Sequence, residues 1–201
     1  QESRGLGDVY KRQIDPYGNQ TVASGVIAYP INNKQAFPII SWQHGTEVKR
    51  DNVTSLRGFN LLNFVLTGSG YIFVEPDYLG LGDSEILHPY CLKEPSAWTT
   101  IDLIRAAKEF IYISNQVESN NEVILFGYSE GGYVTMAAHK LIQDNEIDEF
   151  NLISSFLGTL ILITYFSELK FLFFTSSFER VNEFFILFLV IELFCGVCTP
   201  E

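Results

Sequence analysis

The residues best suited to covalent chemistry lie between Gly127 and Gly131, where the chain spells Gly-x-Ser-x-Gly around Ser129. An apolar, β-type run at 123–126 precedes the motif, and a helical pattern at 133–143 follows it. A serine on a sharp strand-to-helix turn needs small neighbours, which Gly127 and Gly131 supply. The helix N-terminus also favours negative charge developing on a substrate oxygen. We therefore predict that Ser129 is the nucleophile of a nucleophile elbow; the alternative is an ordinary glycine-rich turn.

The composition of the 201-residue chain is that of one globular domain, with 47% hydrophobic and 18% charged residues. The formal net charge of -11 argues against nucleic acid or an anionic membrane surface as a partner, because both attract clustered Lys and Arg. The three cysteines, Cys91, Cys195 and Cys198, cannot all pair within one chain. A single Cys-x-x-Cys lacks the further ligands of a structural zinc site, so we expect no metal.

The two ends of the chain differ from its middle. Residues 1–13 lack the apolar core of a signal peptide. They resemble a stretch found at the ends of many unrelated proteins translated from assembled short sequencing reads, and we interpret them as a sequencing artefact. The missing signal then says nothing about where the protein works. We assign residues 14–150 to one domain and residues 151–201 to an apolar tail.

Within residues 14–150, short apolar runs alternate with helical patterns. Asp-Pro-Tyr-Gly-Asn at 15–19 predicts a tight turn and the start of a hairpin. The pattern predicts strands at 21–29, 36–42, 71–74 and 122–126, helices at 51–68, 97–114 and 133–143, and a polar turn at 118–121. This order indicates an α/β fold with a mostly parallel sheet and flanking helices.

Two loops follow predicted strands, at the carboxyl ends where open α/β sheets bind ligands. Gln43-His44-Gly45-Thr46 follows the strand at 36–42, and a glycine-containing loop from Pro76 to Ser84 follows the strand at 71–74. We expect the second loop to line a substrate cleft through Asp77, Tyr78, Gly80, Gly82 and Asp83. Its aspartates precede Ser129, so we interpret them as stabilising the loop. His88-Pro89-Tyr90 is interpreted as a turn with an aromatic anchor.

These segments resemble the secretory lipase and esterase branch of the α/β-hydrolase superfamily. The resemblance rests on residues 43–46, on 76–84 with 88–90, and on 127–132, and it covers residues 14–150. It implies an α/β-hydrolase-like fold that is incomplete on its C-terminal side. It also implies hydrolysis of small-molecule or lipid carboxylic esters through an acyl-enzyme, with no metal or organic cofactor. Members of this branch are usually exported, which implies a secreted or cell-envelope location for the intact protein.

Enzymes of this fold stabilise the oxyanion with two backbone N–H groups, one from the residue after the nucleophile and one from an early loop. In this chain the expected donors are Glu130 and either His44 or Gly45. His44 is proposed for its backbone position and not for its imidazole; the alternative is a polar loop histidine.

The catalytic acid and base of this fold follow the serine along the chain. His139 is the sole histidine after Ser129, and it lies ten residues further on, roughly 15 Å along a continuous helix. It cannot serve as the base unless that helix breaks. Asp144 and Asp148 lie near the end of the same helix, where the family does not place its acid, and His44 would require a different chain order.

The tail changes composition from residue 149 onward, where eleven of the chain's 17 phenylalanines occur and no histidine or aspartate is found. Residues 150–157 fit a further core strand. The apolar runs at 160–166, 171–174 and 184–194 are shorter than the roughly 20 residues that a membrane span needs. We interpret the tail as non-native sequence that replaces the half carrying the acid and base. A transmembrane hairpin and a buried helical lid are the alternatives.

Two hypotheses about function follow. In the first, the chain is part of a serine esterase or lipase and lacks its catalytic acid and base. In the second, it is a non-catalytic α/β-hydrolase-like module that binds ligands in its cleft and attaches to a membrane through its tail. The sequence leaves acyl-chain length and oligomeric state open.

Overall fold

A computed structural model of the protein describes residues 4–31, 35–58, 60–115, 117–165 and 168–174. The strands are β1 (Arg4–Ile14), β2 (Gln20–Pro30), β3 (Ala36–Gln43), β4 (Ile72–Pro76), β5 (Glu118–Tyr128), β6 (Asn151–Tyr165) and β7 (Glu168–Phe174). The helices are α1 (Thr54–Arg57), α2 (Leu61–Gly68), α3 (Lys93–Ser114) and α4 (Glu130–Asp144).

The strands form one sheet in the order β1-β2-β4-β3-β5-β6-β7. Strands β4, β3, β5 and β6 are parallel, whereas β1, β2 and β7 pair antiparallel with their neighbours. Parallel neighbours require crossover connections, which the helices between β3 and β4, β4 and β5, and β5 and β6 supply. The predicted mostly parallel sheet with flanking helices is confirmed.

The predicted hairpin at 15–19 joins β1 to β2. The Gly18 N–H donates to the Asp15 carbonyl at 3.0 Å, and Gly18 has a φ of 86°, which favours glycine. The Asp15 carboxylate also accepts from the N–H groups of Tyr17 and Asn19. Strand β1 pairs with β2 along its whole length and includes most of residues 1–13. This pairing does not test the origin of that segment, which stays an interpretation.

The core has two parts because alternate residues of each strand point to opposite faces of the sheet. On one face, Ile39, Val123 and Leu125 pack in a large cluster with apolar residues of α3 and α4. On the other face, Ile40 and Phe73 pack with the half-buried leucines of α2. The described helices therefore cover the sheet on both sides. Their packing determines where β5 ends and α4 begins.

The single helix predicted at 51–68 is wrong, because the structure has two helices there. Gly58 follows α1 with a φ of 80°, in the left-handed half of backbone space. Asn60 begins α2 through a capping box, in which its side chain and that of Asn63 each accept from the other residue's N–H. The apolar spacing of the sequence does not indicate this break, because the same spacing continues through both helices.

The polar turn predicted at 118–121 is also corrected, because these residues belong to β5. Glu118 and Ser119 pair with Ala36 and Phe37, and the register then shifts before Val123 pairs with Ile39. Asn121 has a φ of 69° within this irregular part. The residues are turn-like in composition, but the neighbouring backbone of β3 gives them strand partners.

The start of the tail continues the sheet. Strand β6 confirms the strand predicted at 150–157 and pairs with β5, and it runs on through most of the apolar run at 160–166. The run at 171–174 lies in β7, antiparallel to β6, while the run at 184–194 lies outside the described residues. None of the helices in the described ranges is long and apolar enough to cross a membrane.

Candidate active site

Ser129 occupies the turn between the last residue of β5 and the first residue of α4. Its backbone has φ 57° and ψ -119°, a conformation that costs free energy for a residue with a side chain. The turn is held by three backbone hydrogen bonds: the Ser129 N–H donates to Gly158 on β6 at 2.6 Å, and its carbonyl accepts from Gly132 and Tyr133. Ser129 is therefore fixed at the carboxyl edge of the sheet and at the N-terminus of α4.

The two glycines of the motif lie where backbone segments touch. A Cβ atom on Gly131 would be 1.8 Å from the carbonyl oxygen of Gln43 at the end of β3. A Cβ atom on Gly127 would be 2.1 Å from the carbonyl oxygen of Gly131. Both distances are far inside van der Waals contact with backbone that cannot move aside. The close crossing of α4 over β3 and β5 thus requires glycine at both positions.

A buried hydrogen-bond chain fixes the same crossing. The Thr135 hydroxyl on α4 donates to the side-chain carbonyl of Gln43 at 2.7 Å, and the Gln43 amide donates to the Ser41 hydroxyl at 2.7 Å. All three residues are fully buried. These hydrogen bonds link the second turn of α4 to β3. Because the buried polar groups are partners of one another, their burial is compensated.

His44 and Gly45 follow β3 directly and lie beside the serine turn. A Cβ atom on Gly45 would be 3.7 Å from the Ser129 Cβ, so the backbone of Gly45 borders the nucleophile position. The His44 ring stacks on Tyr78 at 4.2 Å, and its nitrogens lie 2.7 Å from the Gly45 carbonyl and 3.3 Å from the Asp77 carbonyl. The imidazole is thus engaged with loop backbone.

The loop after β4 is built around the carboxylate of Asp77, which is fully buried. This carboxylate accepts from the hydroxyls of Ser24 and Ser55. The Ser24 hydroxyl oxygen in turn accepts from the Asp83 N–H at 3.0 Å. A Cβ atom on Gly82, whose φ is 58°, would be 2.2 Å from that oxygen. Asp77 stabilises the loop as predicted, whereas Asp83 does so through its backbone.

Glu75 lies on β4, one residue before Pro76 and the loop, and is 3% exposed. Burial raises the pKa of Glu75 to about 8, and the nearby charge of Asp77 contributes to this rise. Hydrogen bonds from Thr54 and Asn60 favour the ionised form and oppose it. Burial also raises the pKa of Asp77, although Ser24 and Ser55 oppose the effect. Two acids are therefore buried beneath the loop, and burial favours the protonated form of Glu75.

His88 is more than the turn residue that the sequence suggests. One ring nitrogen, Nε2, lies 2.8 Å from the carboxylate of Glu130, and the other, Nδ1, lies 2.7 Å from the Leu79 carbonyl. The Glu130 side chain is 1% exposed, so this is a buried ion pair when His88 is protonated. Sequence patterns gave no signal for it, because the two residues are 42 positions apart.

His139 lies in the middle of α4, which is continuous from Glu130 to Asp144. Its Nδ1 is 2.8 Å from the hydroxyl of Ser155 on β6, and both residues are buried. Burial lowers the pKa of His139, and the charge of Lys140 lowers it further. The helix break that would bring His139 to Ser129 is absent. Asp144, at the far end of α4, pairs with Lys140 on the surface.

No cluster of three or more His, Cys, Asp or Glu side chains in the described ranges could hold a metal ion.

The family comparison identifies the group of proteins to which this site belongs. A family model described as Secretory lipase matches residues 47–168. The chain belongs to the secretory lipase family. The matched segment includes the loop after β4, His88 and the whole serine turn, whereas His44 and Gly45 lie immediately before it. This family is one of lipase and esterase hydrolases.

Solved structures support this assignment. The rice cell wall degrading esterase LipA from Xanthomonas oryzae is 31% identical with a TM-score of 0.69, over 76% of this chain and 41% of that protein. A hydrolase candidate from Legionella pneumophila is 38% identical with a TM-score of 0.67, over 72% of this chain and 40% of that protein. Candida antarctica lipase A, 19% identical over 76% of this chain and 37% of that protein, shares the fold with a TM-score of 0.56. A comparison with curated proteins finds no match.

The chain thus spans only about two fifths of the length of the structures it resembles.

The contact between Gly131 and Gln43 predicts the outcome of a small substitution. We expect Gly131→Ala to lower the free energy of unfolding by about 3 kcal/mol, because its methyl group collides with backbone. Denaturant unfolding of both proteins measures the difference. Gly45→Ala is the matched control, since its nearest contact, 3.5 Å, is an ordinary one. Equal stability of the two variants would contradict the close crossing.

The buried Glu75 carboxyl predicts a pH dependence of stability. The unfolded chain releases this proton near pH 4.5 and the folded chain near pH 8, so the free energy of unfolding should fall as pH rises between these values. The Glu75→Gln side chain stays neutral at every pH, so the free energy of unfolding of this variant should not show this decrease. At pH 8 the variant should therefore be more stable than the wild type. Glu109→Gln, on the exposed surface of α3, should retain the wild-type profile. A Glu75→Gln profile parallel to the wild type would show that Glu75 is ionised when folded.

Proposed function

We propose that this chain is the nucleophile-bearing part of a serine hydrolase that cleaves carboxylic esters through an acyl-enzyme. The observation that carries the proposal is the positive φ of Ser129 at the turn between β5 and α4, in a member of the secretory lipase family. A strained serine at the start of a helix is the geometry that such nucleophiles adopt. The substrate class is an ester of a small molecule or lipid, and the location is secreted or cell-envelope.

In the proposed mechanism, the Ser129 hydroxyl oxygen attacks the ester carbonyl while its proton passes to a base. The carbonyl oxygen becomes an oxyanion, and the backbone N–H groups of Glu130 and of His44 or Gly45 donate to it. Collapse of this intermediate expels the alcohol and leaves an acyl group on Ser129, which water then hydrolyses. The loop carrying Asp77, Tyr78, Gly80, Gly82 and Asp83 would border the acyl or alcohol group. No step calls for a metal or an organic cofactor.

We propose that the proton acceptor is not among the described residues of this chain. His139 bonds to Ser155 within a continuous helix, and the His44 nitrogens lie against backbone carbonyls. Since the chain aligns with about two fifths of its relatives, we propose that acid and base belong to the part of those proteins beyond the alignment. Ser129 should then react slowly in this chain, because loss of the triad partners lowers rates by several orders of magnitude.

The second candidate is a non-catalytic module that binds ligands in the same cleft. It is favoured by one observation, the lack of any histidine after His139 in the sequence. A ligand-binding module would need the cleft and its loop but not a reactive serine.

A fluorophosphonate probe separates the two candidates. We expect slow, stoichiometric labelling of the 201-residue chain, located at Ser129 by peptide mass spectrometry and abolished in Ser129→Ala. Ser155→Ala is the matched control, because Ser155 also lies beside a histidine but is fully buried, and it should label like the wild type. Unlabelled wild-type protein, or a label at another residue, would favour the non-catalytic module.

A further inference from the structure

The side chain of Glu130 creates an electrostatic problem at the proposed oxyanion site. Glu130 follows Ser129 directly, and its N–H is one of the two proposed oxyanion donors. Its carboxylate is 1% exposed, so water cannot screen it well. A buried negative charge at this position opposes a second negative charge that forms on the substrate oxygen. The helix N-terminus compensates part of this charge, being equivalent to about half a positive elementary charge.

The hydrogen bonds of His88 indicate how the remaining negative charge of Glu130 is compensated. Its Nε2 lies 2.8 Å from a Glu130 oxygen and its Nδ1 lies 2.7 Å from the Leu79 carbonyl. The Leu79 carbonyl oxygen can only accept, and so can an oxygen of Glu130 when that side chain is ionised, so both ring nitrogens donate when Glu130 carries its charge. A neutral imidazole has one N–H and an imidazolium has two.

We propose that His88 is held as an imidazolium that neutralises the Glu130 carboxylate and ties the loop after β4 to the first turn of α4. His88 is therefore a positioning residue: it fixes and neutralises the residue whose N–H faces the oxyanion. This role rests on the proposed function, whereas the charge state of the pair does not.

Among the ion pairs of the described residues, Glu130 pairs with His88 alone. The other Glu130 oxygen, Oε2, has no hydrogen-bond partner among the described residues. The side chains of Tyr78 and Tyr90 lie against the His88 ring at 6.2 Å and 6.0 Å, and Cys91 follows Tyr90. Burial and the Glu130 charge raise the pKa values of Tyr78 and Cys91, which keeps both groups neutral. Further away, His44 stacks on the far side of Tyr78, and the protonated Glu75 lies near that tyrosine.

The ionisation of His88 agrees with this geometry. Burial by itself would lower the pKa of His88, but the Glu130 carboxylate and the Leu79 carbonyl outweigh burial, and the pKa is raised above its usual 6.5. A raised pKa means that the pair contributes its full stability below pH 6.5, and that this contribution is lost as pH rises through the folded-state value.

Nuclear magnetic resonance of the full 201-residue chain tests the charge state directly. Long-range proton–nitrogen spectra with ¹⁵N-labelled histidine distinguish an imidazolium from the two neutral tautomers, and His88→Asn identifies the His88 signals. We expect both His88 nitrogens to be protonated at pH 7. We also expect Glu130→Gln to lower the titration midpoint of His88 by about 1 to 3 pH units, since it removes the opposite charge.

Two controls accompany this titration. His139 lies on the same helix but bonds to Ser155, so Glu130→Gln should leave its signals unchanged. Glu109→Gln removes the same charge from the exposed face of α3 and should leave His88 unchanged. A neutral His88 at pH 7 in the wild type, or a midpoint that Glu130→Gln does not move, would overturn the proposal. If Glu130→Gln does not fold, the wild-type spectrum decides alone.

The result is separable from the test of the esterase proposal. A protonated His88 in a chain that no fluorophosphonate labels would count against the esterase and leave the ion pair in place. A neutral His88 in a chain whose Ser129 is labelled would count against the ion pair alone.

Discussion

The close contact between the first turn of α4 and the end of β3 is the constraint on which the site depends. Gly131 lies on the Gln43 carbonyl with no room for a methyl group, and Gly127 lies equally close to Gly131. This contact determines the angle at which the chain leaves β5. It therefore also determines the strained backbone conformation of Ser129, which lies between the two glycines. The strain is sustained because α4 is also anchored by the Thr135–Gln43–Ser41 hydrogen bonds and by its apolar face.

A second constraint is the burial of three carboxyl groups, Glu75 on β4, Asp77 directly after it and Glu130 at the start of α4. Each has one oxygen without a hydrogen-bond partner among the described residues, and each is stabilised by a different physical means. Burial raises the pKa of Glu75 and so favours its protonated form, while Asp77 accepts from two serine hydroxyls. Glu130 accepts from a histidine. In a chain of net charge -11, buried anions without such partners would be very costly. Asp77 and the His88–Glu130 pair hold the loop after β4, whereas Glu75 lies on β4 itself and has its partners in Thr54 and Asn60.

The sequence predicts those parts of this arrangement that depend on local patterns. The strands and the Ser129 turn follow from apolar runs and from glycine spacing, which short-range sterics determine. The helix at 51–68 is mispredicted, because Gly58 and the Asn60 capping box act against an unbroken apolar periodicity. The pairing of His88 with Glu130 could not be predicted at all, since it depends on how a loop folds over a helix that follows it 42 residues later.

The proposed function has two separate physical requirements, a serine positioned beside N–H donors and an acid and base that handle its proton. The strained serine and its neighbouring N–H groups arise where β3, β5 and α4 cross, so the part of the fold described here can organise them without the acid and base. A base requires more than proximity to a serine, as the His139–Ser155 contact demonstrates: both groups are buried in the core, where no substrate can approach. If the proposed function holds, the backbone that positions Ser129 forms independently of the residue that takes its proton. Loss of that residue would then lower the rate of ester cleavage by several orders of magnitude without changing the Ser129 turn.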